Sequence, residues 1–169
     1  MKNSIDTSNK PFLKHWLFRA KSKTTKEWLQ GELFSSNNHN FYINTPSLAI
    51  GECSICCEEI DYTTISECTG IEDVNGKLVF VGDIVRFKYL QPTGQPNLST
   101  VADGYGVIVW DKYRFAIDTI QKTPYINRIE FNQLFSNKGV GHIELEVVGN
   151  IHDDPIFKKL VDKADYSKS

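Results

Sequence analysis

The sequence predicts a mainly β fold, of the β-rich α+β class: a small, partly open β-barrel or a strongly bent antiparallel sheet, with one short inserted helix and one C-terminal helix. Three observations predict it. Short apolar runs are separated by tight-turn dipeptides and Gly-Asp breaks, not by long stretches of helical period. Aromatic side chains are plentiful, with three Trp, seven Tyr and ten Phe, and such side chains suit a pleated, half-buried surface. Strand-like and helix-like segments do not alternate, so a parallel βαβ sheet is not expected. A chain of 169 residues fits one domain and buries roughly two-thirds of its unfolded surface. We place that domain at residues 12–166, with an N-terminal hairpin at 12–34, a β core at 65–149 and a C-terminal helix at 155–164, between a flexible leader (1–11) and a short tail (167–169).

The elements follow in order. The leader is polar and ends at Lys10-Pro11. In "HWLFRAKSKTTKEWLQGELF", two aromatic-rich segments, 16–20 and 28–34, flank a polar centre at 21–26 and form a hairpin, with a short helix over 28–34 as the alternative. A breaker-rich loop, 35–47, holds a short apolar element at 41–43, and an acidic, cysteine-bearing segment follows at 51–61. Next comes "ISECTGIEDVNGKLVFVGDIVRF", the most patterned stretch of the chain. Its Asn75-Gly76 suits a type I′ turn, in which both central residues need φ > 0. Its Gly82-Asp83 marks a bulge or sharp bend where a strand changes sheet or barrel wall.

Residues 91–104, rich in Pro, Gly and small polar side chains, read as the longest loop of this region. A second hairpin then runs through 106–110 and 114–118 around Asp111-Lys112-Tyr113, with Val107, Val109, Phe115 and Ile117 available for one face. "INRIEFNQLFSNKGVG", 126–141, reads as the inserted helix, stopped at 137–141. A last strand occupies 143–149. Asp153 or Asp154 caps the final helix, with Pro155 in its first turn and lysines towards its end.

Charge narrows the function classes. Residues 1–30 hold seven Lys and Arg against two acids (+5), residues 31–75 hold eight acids and neither Lys nor Arg (−8), and the remaining 94 hold twelve bases and eleven acids (+1), which sums to −2. A near-neutral total argues against sequence-independent nucleic-acid binding by a basic face. The two early blocks are instead expected to pair with each other or with a neighbouring subunit. No apolar run approaches the ~20 residues of a membrane span, and the first residues lack the apolar core of a signal peptide. The expectation is a cytoplasmic protein with no membrane partner.

The quoted segments resemble the YopX family of phage and prophage proteins. "FRAKSKTTKEW", "CTGIEDVNGKLVFVGDIVRF", "GVIVWDKYRFAI" and "IELEVVGNIHDDP" match, in order, the family's opening strand and turn, its T-G-[LI]-x-D-x-N-G…G-D-I-V signature, its G-V-[VI] hairpin and its terminal V-[IV]-G-N-I-[YH] segment with the acidic, Pro-containing turn after it. Together they span most of residues 17–157. The signature positions here are Gly70, Asp73, Asn75, Gly76, Gly82, Asp83, Gly149 and Asn150. The resemblance implies a phage-encoded, predominantly β protein in the cytoplasm of a bacterial host, and it implies no catalytic residue. The cysteine segment and the 91–104 region depart from the family pattern, so this chain's own specificity is expected there.

Candidate sites are weighed by chemistry. Cys53, Cys56, Cys57 and Cys68 are the metal-ligand candidates, but C-x2-C supplies one zinc half-site and the second is missing, so they read as thiols in a reducing compartment, with no cofactor. Completion by His39 or another histidine is the alternative. Asp73 and Asp83 are candidate acid-base groups, although an Asp beside Asn-Gly or Gly ordinarily accepts turn hydrogen bonds. His15, His39, His142 and His152 show no metalloprotease or nucleophile-base spacing, and phosphate-loop, dinucleotide and nucleophile-elbow motifs are missing, so no enzyme is expected. Trp16, Arg19, Lys21, Lys23, Lys26 and Trp28 set aromatic rings beside bases, the chemistry that holds single strands or a partner surface. The expected function is a non-enzymatic phage or prophage accessory protein that self-associates as a homo-oligomer and binds a host or phage macromolecule, with single-stranded nucleic-acid binding as the alternative and a metal-dependent enzyme third.

Overall fold

The computed structural model describes residues 17–36, 40–45, 56–92, 98–120, 128–130 and 142–154. The chain divides into two compact units, Met1–Gly70 and Ile71–Ser169.

The first sheet runs β4-β3-β2-β1-β5-β6 in hydrogen-bonded order, from β1 (Phe18–Lys21), β2 (Trp28–Ser35), β3 (Phe41–Thr45), β4 (Cys56–Glu59), β5 (Ser66–Glu72) and β6 (Leu78–Phe80), and β1 to β4 lie within the first unit. Residues 28–34 are strand, and the helix alternative is overturned. The reason is alternation: Leu29, Gly31 and Leu33 turn inward while Gln30, Glu32 and Phe34 are exposed. Gly31 is required by close approach, because a Cβ there would lie 1.9 Å from the Asn44 carbonyl oxygen. Ala20, Ile43 and Ile60 form the core, with Leu29, Leu33, Phe41 and Ile65 packed on it. A bridge between Ser22 and Ile60, with hydrogen bonds from Lys23 N to Glu59 O and from Asp61 N to Lys21 O, both 2.9 Å, bends the end of β4 back onto β1. The described strands form two antiparallel sheets and no closed barrel.

The second unit holds a five-stranded antiparallel sheet, ordered β10-β9-β8-β7-β11, from β7 (Asp83–Pro92), β8 (Leu98–Asp111), β9 (Arg114–Thr119), β10 (Arg128–Glu130) and β11 (His142–Asn150). The chain does change sheet at Gly82, since β6 belongs to the first sheet and β7 to the second. Val79, Val85, Phe87, Ile108, Ile117, Ile129, Ile143 and Leu145 form the core, joined by Ile71, Phe115 and Val147.

Three expectations are corrected here. The 91–104 region is largely not a loop: Gln91 and Pro92 stand opposite Ser99 and Leu98, and pairing runs on through Gly104 opposite Phe87. Backbone pairing between two long antiparallel strands overrides the turn-prone composition; residues 93–97 lie outside the described residues. Within the expected helix at 126–141, Arg128–Glu130 is strand β10, because Ile129 stands opposite Ile117 and completes an apolar face, while the rest of that segment and the C-terminal helix at 155–164 lie outside the described residues. The only helical turn among the described residues is Tyr62–Thr64, capped by the Asp61 carboxylate, which accepts from Thr63 N at 3.1 Å.

The β8–β9 hairpin is the third correction. Asp111 pairs with Arg114, which leaves a two-residue turn of Lys112 and Tyr113 in place of a three-residue loop. Register slips by one. Ile108 then faces Ile117 and Trp110 faces Phe115, while Val107 faces Asp118. Since side chains alternate with period two, Val107 and Val109 lie on the sheet face opposite Phe115 and Ile117.

Candidate functional site

The signature segment is local backbone chemistry first. Asp73 N donates to Lys77 O (2.8 Å) and Gly76 N to Asp73 O (2.9 Å). The Asp73 carboxylate accepts from Asn75 N (2.8 Å) and Lys77 N (2.9 Å). Gly76 alone adopts positive φ, 77°, and Asn75 does not, so the turn is not type I′. Its shape comes from the Asp73 side chain folding over the turn amides.

Asp73 also reaches a distant strand. Its second oxygen accepts from Val147 N at 3.0 Å, and Val74 N donates to Leu145 O at 2.9 Å. The turn therefore lies along β11, the terminal strand of the second sheet. Burial pushes the Asp73 carboxyl up, but the amides of Val147, Lys77 and Asn75 outweigh burial and hold it below its ordinary value.

Asp83 is fully buried; it accepts from Phe80 N (2.8 Å) and from Asn150 Nδ2 (3.3 Å). Asn150 in turn takes the His152 amide on Oδ1 at 2.9 Å, and its carbonyl accepts from Asp153 N and Asp154 N, both 3.0 Å. Gly82, at φ 83°, donates to Ile108 O and accepts from Ile151 N. Gly149 stands opposite Ile84, beyond a bulge at Val148. Gly70 also has positive φ, 77°, within β5. The middle and terminal signatures thus meet in space, through Asp83 and Asn150 and through Asp73 and Val147.

Of the six aromatic and basic candidates in the N-terminal hairpin, three converge. Arg19 and Lys21 on β1 stand opposite Gln30 and Trp28 on β2, so all four share one sheet face. The Arg19 guanidinium carbon lies 4.8 Å from the Trp28 ring centroid and the Lys21 ammonium 5.5 Å, both within cation–π range. Farther along the same face, Phe34 and Tyr42 stack at 5.5 Å and 16°. Sequence reasoning missed this aromatic pair, which only the β2–β3 register brings together.

Lys23 and Lys26 do not join the face; they sit in the turn. Lys23 pairs with Glu59 at 2.6 Å, a hydrogen bond and ion pair that hold its ammonium above the usual value. Lys26 is exposed with φ 64°. Ser22, fully buried, accepts from Thr24 N and Thr25 N and donates to Glu58. The basic block therefore meets the acidic block inside this unit. Trp16 lies outside the described residues.

The cysteines are not gathered by what is described. Cys57 is exposed on β4 and Cys68 is buried in β5, where its sulfur accepts from Gly70 N at 3.4 Å. Cys53 lies outside the described residues, and of Cys56 only its place in β4 is described. Among the described residues no three His, Cys, Asp or Glu side chains come together as a metal would require. No described helix is long and apolar enough to cross a membrane.

Comparison with known proteins adds one finding. The family described as YopX protein matches residues 17–157. No curated protein matches the chain.

Proposed function

The chain belongs to the YopX family, and from that premise we propose that it acts as a non-enzymatic phage or prophage binding module, with the outward face of its N-terminal sheet as the working surface. One observation carries the reading: half-buried Trp28 lies beneath two cations on the sheet face that also holds the Phe34–Tyr42 stack. The signature carboxylates argue against acid-base work, because Asp73 and Asp83 are each occupied by backbone amides. Single-stranded nucleic acid is the partner class that suits the face, since bases stack on Trp, Phe and Tyr rings while Arg and Lys meet phosphates. Self-association in a host cytoplasm completes the proposal.

Anisotropy of a labelled oligonucleotide tests the partner. Trp28→Ala is expected to weaken binding roughly 5- to 100-fold, as loss of one stacked base does. Arg19→Gln with Lys21→Gln should flatten the salt dependence by about two charges. Undetectable binding at low salt removes the nucleic-acid reading and leaves the binding module to be pursued by affinity capture. Light scattering across a salt series tests assembly, and a monomer throughout overturns it.

A further inference from the structure

The outer face of the second sheet carries its charges sorted by strand. Val85, Phe87, Leu145 and Val147 turn to the core, so the residues that alternate with them face outward. On β11 these are Glu144 and Glu146; on β7 they are Arg86 and Lys88, with Glu144 opposite Lys88 and Glu146 opposite Arg86. One strand thus presents two acids and its neighbour two bases, in the same two rows. β8 continues the rows, with Tyr105 opposite Arg86 and Asp103 opposite Lys88.

Cross-strand neighbours of opposite charge ordinarily pair with each other. Here Arg86 turns away to hold Asp103 at 3.0 Å, and among the described residues the side chains of Lys88, Glu144 and Glu146 make no hydrogen bond or ion pair. An open hollow lies there instead, lined by Val74, Arg86, Lys88, Glu144, Leu145 and Glu146. Two exposed apolar side chains flank the charges: Val74 beside β11, 62% exposed, and Tyr105 on β8, 41% exposed.

A second copy of the same face complements this pattern. About a two-fold axis running along the strands between β7 and β11, each β11 lies over the β7 of the other copy. Glu144 of either copy then faces the partner's Lys88, and Glu146 faces the partner's Arg86. The same rotation carries Val74 over β8 of the other copy, towards the partner's Tyr105. Strand directions stay aligned, as in sheet-on-sheet packing within about 30°. Assembly by the face also suits the state of the edge, since the Asp73-Val74 turn already occupies β11 at Leu145 and Val147.

We infer that this outer face is the surface through which the chain self-associates, as a two-fold dimer held by charge pairs between β11 and β7. The inference rests on the proposed self-association and names its surface. Exposed pairs of this kind are screened by ions, so the dimer is salt-labile. A foreign partner with a basic patch would take the acids and leave Arg86 and Lys88 facing like charge.

The test is charge reversal followed by mixing, read by sedimentation velocity at low salt. Lys88→Glu sets acid over acid and Glu144→Lys sets base over base, twice in each dimer by symmetry. Each variant alone is expected to dimerise at least roughly tenfold more weakly than the unaltered protein. An equimolar mixture of the two restores both contacts in a mixed dimer and is expected to associate as the unaltered protein does. Recovery of this kind reports a contact between chains, because each chain keeps its own substitution. If either variant does not fold, Val74→Asp decides the matter: its side chain is exposed and its tie to Leu145 is through the backbone, so weaker association supports the inference and unchanged association overturns it. Unchanged association in both charge variants overturns the inference and leaves self-association to another surface. Weakened association that mixing does not restore overturns it as well. A monomer at every salt concentration in the unaltered protein overturns both the inference and the proposed self-association.

Discussion

Substituting Asp73 tests whether the signature is a structural clamp. Asp73 is 8% exposed, and its carboxylate accepts three backbone amides, two with one oxygen and Val147 N with the other. Hydrogen bonds to a charged group contribute about 1.5–3 kcal/mol each. Asn75 and Lys77 are exposed turn residues whose amides water can reach once the carboxylate is gone, so the full sum does not apply. The net loss in Asp73→Ala is therefore about 2–4 kcal/mol, or roughly 5–15 °C in thermal midpoint. Asp73→Asn should be no milder, because one of its two positions would present N–H to an N–H donor. pH supplies an independent readout. The folded carboxyl lies below its ordinary value of 3.8, so its contribution is present above that value and lost as pH falls through the lower folded one. Urea denaturation near neutrality and in acid should show the protein and Asp73→Asn separated at pH 7 and converging below the ordinary carboxyl value. A variant within about 0.5 kcal/mol of the unaltered protein at pH 7, or an equal gap at every pH, refutes the clamp.

Two further outcomes follow from close contacts and exposure. Gly31→Ala places a methyl 1.9 Å from the Asn44 oxygen and should destabilise by about 3 kcal/mol or more, whereas Gly76→Ala meets no atom within 4 Å and should lose only about 1–2 kcal/mol through its left-handed φ; equal midpoints for the two variants would contradict the β2–β3 register. Alkylation mapped by peptide mass should modify exposed Cys57 in the native protein and buried Cys68 only on unfolding, and equal rates would displace Cys68 from the interior.

Local signals were legible where backbone chemistry decides. Gly82-Asp83 announced a change of sheet, and the alternation of β2 was present in residues 28–34, though Trp28 and Phe34 on its outer face blurred it. Pairing partners were not legible. Residues 91–104 carry turn-prone side chains, yet strands on either side of 93–97 pair across the sheet, and composition does not report a partner. Ile129 fell within the expected helix at 126–141 because three-residue β10 is too short to show a period and acquires its state from Ile117 opposite. For the candidate face, the residue types of Arg19, Lys21 and Trp28 were visible, but Phe34 and Tyr42 needed the register of β2 with β3 to become neighbours.

The same limit explains why the register of the β8–β9 hairpin was read one residue out, and it bears on what the signature does. A Lys-Tyr pair is a poor two-residue turn, so sequence reasoning lengthens the loop to include Asp111 and puts Val107 and Val109 on the face of Phe115 and Ile117. The observed register puts Trp110 over Phe115 and sends Asp111 to Arg128. Signature residues show the converse: their turn chemistry was legible, but their reach was not. Asp73 and Val74 occupy Val147 N and Leu145 O, groups on the outer edge of a terminal strand of nine residues. An edge of that length invites pairing with another chain unless it is covered. The turn covers it at Leu145 and Val147, so the clamp that joins segments 74 residues apart also guards the sheet, and loss of Asp73 should raise aggregation along with instability.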